Sequence, residues 1–437
     1  MFIKHDRGCT CRGDPAGDDV HHFSAKNDGC AEKDNVLFTI KICNIGDILK
    51  GFGVVSAARV AQAVCSVVSR LDACSAARVA ADHCIRVAVP RARFADAESL
   101  SDACEAWICD VCRLVALVPF WTELGCVHVW LSASWSARLG GIAQRGSDGV
   151  SGFFSEPVVD SEEGAARYRS DMAVASKLLC LIPRSAGEGL DGSALAIVWR
   201  PVVARASHEV LYYQSTVRFE EAVGDSWLAR GALEAVERIG FSGMIDQAVV
   251  EAAVVELEAD PKVVLSAAVS SVGVIGSAWW ARLVRRLDQA PGLAARLVLE
   301  ISEASALARS GEVGRFCEEA RRLGCQIAIS DYGAGYASAR QLVTIAPDIV
   351  KIDCGFVRRS TTSVRDRAVL AGLQQLAAAV ARIVVADGVD TFAHARLTDE
   401  LGLVWQQGYF WGGASAFRPW CGAHAPEDQS SPAMRFG

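Results

Sequence analysis

The chain has 437 residues, with 44 Lys and Arg against 51 Asp and Glu for a formal charge of −7, and half of its residues are apolar. That length fits two or three domains, and the acidic balance argues against a general nucleic-acid binder while leaving room for a local basic pocket. No apolar run of bilayer-spanning length stands out and the opening MFIKHDRGCTCRGDPAGDD has no apolar signal core, so the expectation is a cytoplasmic protein without a membrane span.

Residues 1–35 are polar and rich in Gly and Asp, which predicts a disordered tail. Cys9, Cys11 and Cys30, with His21 and His22, resemble loose metal ligands, but their spacing matches no standard zinc pattern. Most of the sixteen cysteines, such as Cys43, Cys65, Cys180 and Cys325, sit singly in apolar segments, where a reduced thiol acts as a small hydrophobe. From Val36 the pattern turns periodic. VLFTIKI predicts a strand and VSAARVAQAVCSVVSRL an amphipathic helix. ARVAADHCIRVAVP predicts a hairpin, ESLSDACEAWICDVCRLVAL a helix and CVHVWLSAS a further strand. GGIAQRGSDGVSG is expected to be a loop, and AARYRSDMAVASKLL closes this part with a helix. The alternation predicts an α+β domain over residues 36–180, followed by a linker at 183–193, PRSAGEGLDGS.

Beyond the linker, eight strand candidates recur with helices between them: LAIVWRPVV, EVLYYQSTVRF, KVVLSAAVS, RLVLEIS, CQIAIS, IVKID, RIVVADGV and GLVWQQGY. This predicts an α/β domain of the (β/α)8 TIM-like barrel type over 194–423, with a polar tail at 424–437. In such a barrel, chemistry collects where strands end, and polar residues do end these strands: Glu300, Glu303, Ser330, Asp331, Lys351, Asp353, Asp387 and Gln407. Carboxylates ending successive strands converge on one rim, as a divalent metal site requires. Trp279-Trp280 and Tyr212-Tyr213 are read as packing.

At these residues the sequence resembles EAL-type cyclic-di-GMP phosphodiesterases. LVLEISEASAL is similar to their "LEITE" segment, SDYGAGYAS to "DDFGTGYSS", IVKIDCGFV to "LKID-x-x-FV", VVADGVDT to "VAEGVET" and QQGYFWG to "VQGYxFG". The resemblance implies a modified (β/α)8 barrel and metal-assisted hydrolysis of one phosphodiester bond, with Mg or Mn as the metal. Carried over position by position, it puts Gln214-Ser215-Thr216 where Glu-Ala-Leu stands, Ala268 at an asparagine ligand, Ser330 at the first aspartate of the double-Asp pair and Asp387 at a glutamate. Kept are Glu300, Glu303 and Asp331 as residual metal candidates, and Arg218, Lys351 and Gln407 as ligand-binding candidates. Gln214, Ala268 and Ser330 together remove two negative charges and three ligand oxygens, so hydrolysis is not expected. No Arg-Pro follows Gly412-Gly413-Ala414 directly, where the family carries one.

The upstream half resembles a GGDEF-type cyclase domain, with ARVAADHCIRVAVP in place of "ARLGGDEFAVLLP". Its signature becomes Ala80-Ala81-Asp82-His83-Cys84, and Lys41 replaces the first-strand metal aspartate. A lysine there repels a metal ion. His83 is taken as an incidental replacement without an acid–base role.

The resemblance implies a regulator of cyclic-di-GMP signalling rather than a catalyst. Three functions stay open at this point: an effector that binds cyclic-di-GMP without cleaving it, a protein-interaction scaffold that no longer binds nucleotide, and a residual weak phosphodiesterase. Glu300 and Glu303 fit either solvated helix-entry carboxylates or ligands of a residual site. Lys351 is expected either to pair with Asp331 or Asp353 or to contact phosphate, and Arg218 to clamp phosphate. A protein partner is expected, and a homodimer is compatible with all three functions.

Overall fold

A computed structural model describes residues 35–71, 76–80, 84–95, 97, 99–139, 142–147, 159–182, 195–219, 228–269, 278–303, 310–335 and 339–421. The predicted tails (residues 1–34 of the first and all of the second), the linker at 183–193 and residues 81–83 of the altered signature lie outside them.

The N-terminal module runs β1 (Asn35–Ile42), α1 (Ile45–Phe52), α2 (Val54–Leu71), β2 (Ala76–Val79), β3 (Ile85–Pro90), α3 (Leu100–Ala116), β4 (Phe120–Thr122), β5 (Gly125–Val127), β6 (Leu131–Leu139), β7 (Ile142–Ser147) and α4 (Glu162–Leu179). Five strands form one antiparallel sheet in the order β2-β3-β1-β6-β7. Alternation along β1 shows why: Val36, Phe38, Ile40 and Ile42 are buried while Thr39 and Lys41 are exposed, the period-two signature of a sheet covered on one face. Along α2, buried Ala57, Val60, Ala61, Val64, Cys65 and Val68 recur every three or four residues and form the stripe that packs inward. Ser99 and Ser161 cap α3 and α4, accepting from the backbone N–H of Asp102 (3.3 Å) and Gly164 (3.0 Å).

Three expectations need correction. CVHVWLSAS is two strands, because β5 pairs back on β4 before the chain enters β6. The supposed loop GGIAQRGSDGVSG contains β7, an edge strand held by β6 despite its Gly-rich composition. And α2 is long and apolar enough by length and composition to cross a bilayer, although a third of it is buried inside the protein.

The second module is a closed barrel of eight strands: β8 (Leu195–Ala204), β9 (Val210–Phe219), β10 (Leu265–Ala268), β11 (Leu297–Ser302), β12 (Gln326–Tyr332), β13 (Ile349–Ile352), β14 (Ile383–Asp387) and β15 (Trp405–Gln407). From β9 to β15 neighbours are parallel, but β8 lies antiparallel to both β9 and β15. No helix separates β8 from β9, which corrects the expected regular alternation: the strands form a hairpin across a turn at 205–207. Outside this hairpin Trp420 packs edge-on against Trp199 at 5.1 Å and tilted on Tyr213 at 5.0 Å, covering a face without its own helix. After β9 come α5 (Leu228–Arg238) and α6 (Ser242–Ala259), and after β10 comes α7 (Ala278–Asp288).

The lumen is layered. Val202, Tyr212, Val298, Ala328, Ile349 and Val385 form a separate apolar cluster from six strands, the floor of the barrel. Two residues further along a strand the side chain faces the lumen again, which lifts Gln214, Glu300, Ser330, Lys351 and Asp387 into one layer above that floor.

At the rim Gly408 has φ +155°, and a Cβ there would overlap the backbone of Val389, whose N–H donates to the Gln407 carbonyl at 2.9 Å. Gly408→Ala should therefore cost about 3 kcal/mol or more, as forced overpacking with backbone shift does. Urea unfolding with an unchanged m-value would register it as a lowered midpoint.

Candidate functional site

Glu300 on β11 is the hub of the lumen. Its Oε2 accepts from Gln214 Nε2 at 2.8 Å and Lys351 Nζ at 3.0 Å, and its Oε1 accepts from Ser266 Oγ at 2.6 Å. The Lys351 and Glu300 side chains are each 1 % exposed, so charge and countercharge lie wholly out of water. Such a pair is tolerable only because the remaining lone pairs are also satisfied, here by an amide and a hydroxyl. Strand β9 supplies the amide, β10 the hydroxyl and β13 the ammonium. Lys351 thus pairs with neither Asp331 nor Asp353, a pairing that was one of the two alternatives expected for it. Ser266 went unnoticed in the sequence, where a serine inside LSAAV carries no signal of its own.

Glu303, for which either a helix-entry or a metal-ligand role was expected, supports a loop. Its Oε2 accepts from the backbone N–H of Gly333 (3.0 Å) and Gly335 (2.7 Å), and so holds the loop that follows β12. Gly333 has φ +96°, a left-handed backbone conformation that glycine adopts without strain. Between Ile329 and Tyr332 the register of β12 against β13 slips, and Asp331 sits at φ +56°. This bulge turns the Asp331 carboxyl to the rim. Its pKa is pushed up by burial, which Lys351 partly offsets and the charges of Asp353, Asp387 and Glu300 reinforce. Ser330 Oγ lies 3.5 Å from Asp331 Oδ2.

Asp387 ends β14 and accepts from the Gly388 N–H at 2.7 Å. Gln407, opposite it in register on β15, is fully buried. Its Nε2 reaches the Arg200 carbonyl at 3.4 Å, while its Oε1 accepts no hydrogen bond among the described residues. Asp353 caps the helix Cys354–Ser360 through Gly355 N–H at 2.9 Å. Burial, with the charges of Glu300 and Asp387, pushes the Tyr212 phenol well above its usual range. Arg218 lies on the same face of β9 as Gln214, exposed four residues further toward the rim. Ala268 is exposed at the end of β10 and offers only a methyl. The Arg-Pro pair missing after Ala414 occurs later, at Arg418-Pro419, and Arg418 Nη2 meets Glu256 Oε1 at 2.6 Å.

The barrel therefore brings Gln214, Glu300, Ser330, Asp331, Lys351, Asp387 and Gln407 to one mouth. The arrangement does not fit a pair of divalent ions. Both oxygens of Glu300 are engaged by protein donors, Gln214 presents an N–H₂ toward that carboxylate, and Ala268 has no donor atom. Among the described residues no three carboxylate, imidazole or thiolate groups cluster as a metal site would need.

A closed barrel whose first strand runs against the others, with polar residues ending its parallel strands, defines a TIM-like class of protein. The EAL domain family model matches residues 184–414, just over half of the chain, and the chain belongs to that family. Among curated relatives, the cyclic di-GMP phosphodiesterase PdeF of Escherichia coli is 33 % identical over 117 residues, 27 % of this chain and 16 % of its own. The probable cyclic di-GMP phosphodiesterase PdeA of the same organism is 34 % identical over 131 residues, 30 % of this chain and 18 % of its own. The chain thus spans less than a fifth of the length of these relatives. Among solved structures, the FimX EAL domain from Pseudomonas aeruginosa bound to c-di-GMP superposes with a TM-score of 0.44 at 23 % identity, over 51 % of this chain and 92 % of that one.

Proposed function

We propose that this EAL-family barrel is a regulatory protein that binds cyclic-di-GMP without hydrolysing it. One observation carries the proposal: the position of the signature glutamate holds Gln214, whose amide donates to Glu300 instead of sharing a cation with it. With Lys351 on the same oxygen, the charge of Glu300 is balanced from within the protein. Binding is supported by Arg218, exposed toward the rim with a guanidinium suited to phosphate, and by Gln407, whose buried side-chain carbonyl accepts no hydrogen bond among the described residues.

The N-terminal module is read as a GGDEF-type domain that has lost its chemistry. The sequence resemblance and the order of elements, strand, two helices and a hairpin, support this. Lys41 is exposed on β1, where a metal-binding carboxylate would be needed, and puts a positive charge there instead. Purified protein incubated with GTP and Mg²⁺ or Mn²⁺ should form no cyclic product above a protein-free blank, and cyclic-di-GMP should survive the same conditions uncut. Time-dependent turnover of either nucleotide would overturn the proposal.

A further inference from the structure

Part of the outer face of the barrel is already occupied. Helix α3 of the N-terminal module lies against α7 of the barrel, and α4 lies against α5. Along the first pair the charges match in antiparallel order. Asp102 Oδ1 (3.2 Å) and Glu105 Oε2 (3.0 Å) accept from Arg285 Nη1, and Asp110 Oδ1 accepts from Arg282 Nη1 at 3.3 Å. At the far end Arg113 Nη1 donates to Glu251 Oε2 at 2.6 Å, and Trp279 Nε1 donates to the other oxygen of Glu251 at 2.8 Å. The Arg113 and Glu251 side chains are 10 % and 20 % exposed, so this contact is largely dry. On the second pair Arg238 grips Asp171 with a two-pronged contact, Nε to Oδ2 at 2.9 Å and Nη2 to Oδ1 at 2.7 Å. Between the two pairs the fully buried His128 ring meets Phe241 edge-on, centroids 6.4 Å apart, and one continuous apolar core runs through both modules.

Exposed ion pairs contribute little, but a bidentate guanidinium and a nearly dry pair around an apolar centre have the make-up of a specific interface. The gripped elements also matter. Helix α6, which carries Glu251, leads into β10 with Ser266, and α7 leads out of it. We propose that the N-terminal module is the permanent partner of this face of the barrel: the two fold as one body, and no separate protein docks on α5 and α7. This stands independently of any nucleotide chemistry.

The test is a full-length chain with a site-specific protease sequence placed within 183–194, cut after folding and followed by gel filtration with circular dichroism of each fraction. The cut wild type should elute as one species with the mass of the whole chain. Arg238→Asp combined with Glu251→Arg should weaken the association at least tenfold, so that two pieces elute. Swapping both pairs, with Asp171→Arg and Arg113→Glu added, should restore co-elution, which an effect on folding alone would not. Separation of the cut wild type, full retention in the unswapped variant, or a swapped protein that stays apart would each overturn the proposal.

Discussion

Lys351→Met should destabilise the protein by about 3–5 kcal/mol, the usual cost of stripping one partner from a buried ion pair. Glu300 would be left without a countercharge, with only Gln214 and Ser266 as donors, in a lumen floored by Val298, Ile349 and Val385. Removing the second charge as well, in Lys351→Met with Glu300→Gln, should recover most of that loss, because a neutral amide does not need a countercharge. Urea titrations of the two variants decide it. A double variant as unstable as the single one would mean that packing, not charge balance, sets the worth of Lys351.

The second large effect concerns repair of the site. Gln214→Glu alone should yield no hydrolysis, since it places a carboxylate where an amide now donates to Glu300 and adds no further ligand. In chelator it should also lower the melting temperature, because a second carboxylate on the half-buried position 214 then faces the buried Glu300. Gln214→Glu, Ala268→Asn and Ser330→Asp together rebuild the ligand set that the family resemblance implies around Glu300 and Asp331. That triple variant should show Mn²⁺-dependent cleavage of cyclic-di-GMP from an undetectable start, since groups acting as a unit are strongly non-additive. Asp387 should cap the recovered rate: one methylene withdraws its carboxylate, and misplacement by about 1 Å can cost roughly a hundredfold. Clear activity in the single variant, or a folded triple variant without any, would contradict this.

The barrel was legible because apolar runs recur, those of β11 to β15 with polar residues at their ends, and because five motifs follow one another in order. Their convergence on a mouth followed from strand direction alone. Partners within the lumen were not legible. Lys351 has Asp353 two residues away in sequence, yet pairs with Glu300, which faces it across the barrel once β12 is interposed. Ser266 was hidden as well: only the pairing of β10 with β11 brings its hydroxyl to the Glu300 carboxylate. The antiparallel β8 escaped because side-chain alternation is the same in either direction. And β7 was masked by glycine and serine, since an edge strand needs only one paired side.

One measurement bears most directly on the central claim: calorimetric titration of the full chain with cyclic-di-GMP, with Mg²⁺ and again in chelator, with the nucleotide recovered afterwards. Binding in the micromolar range or weaker, alike in both conditions, with the nucleotide intact, is the expected result. Arg218→Ala should then weaken it by about 1.5–3 kcal/mol, the loss of a charge-assisted hydrogen bond. Tight binding that requires Mg²⁺ and ends in a cleaved nucleotide would contradict the account.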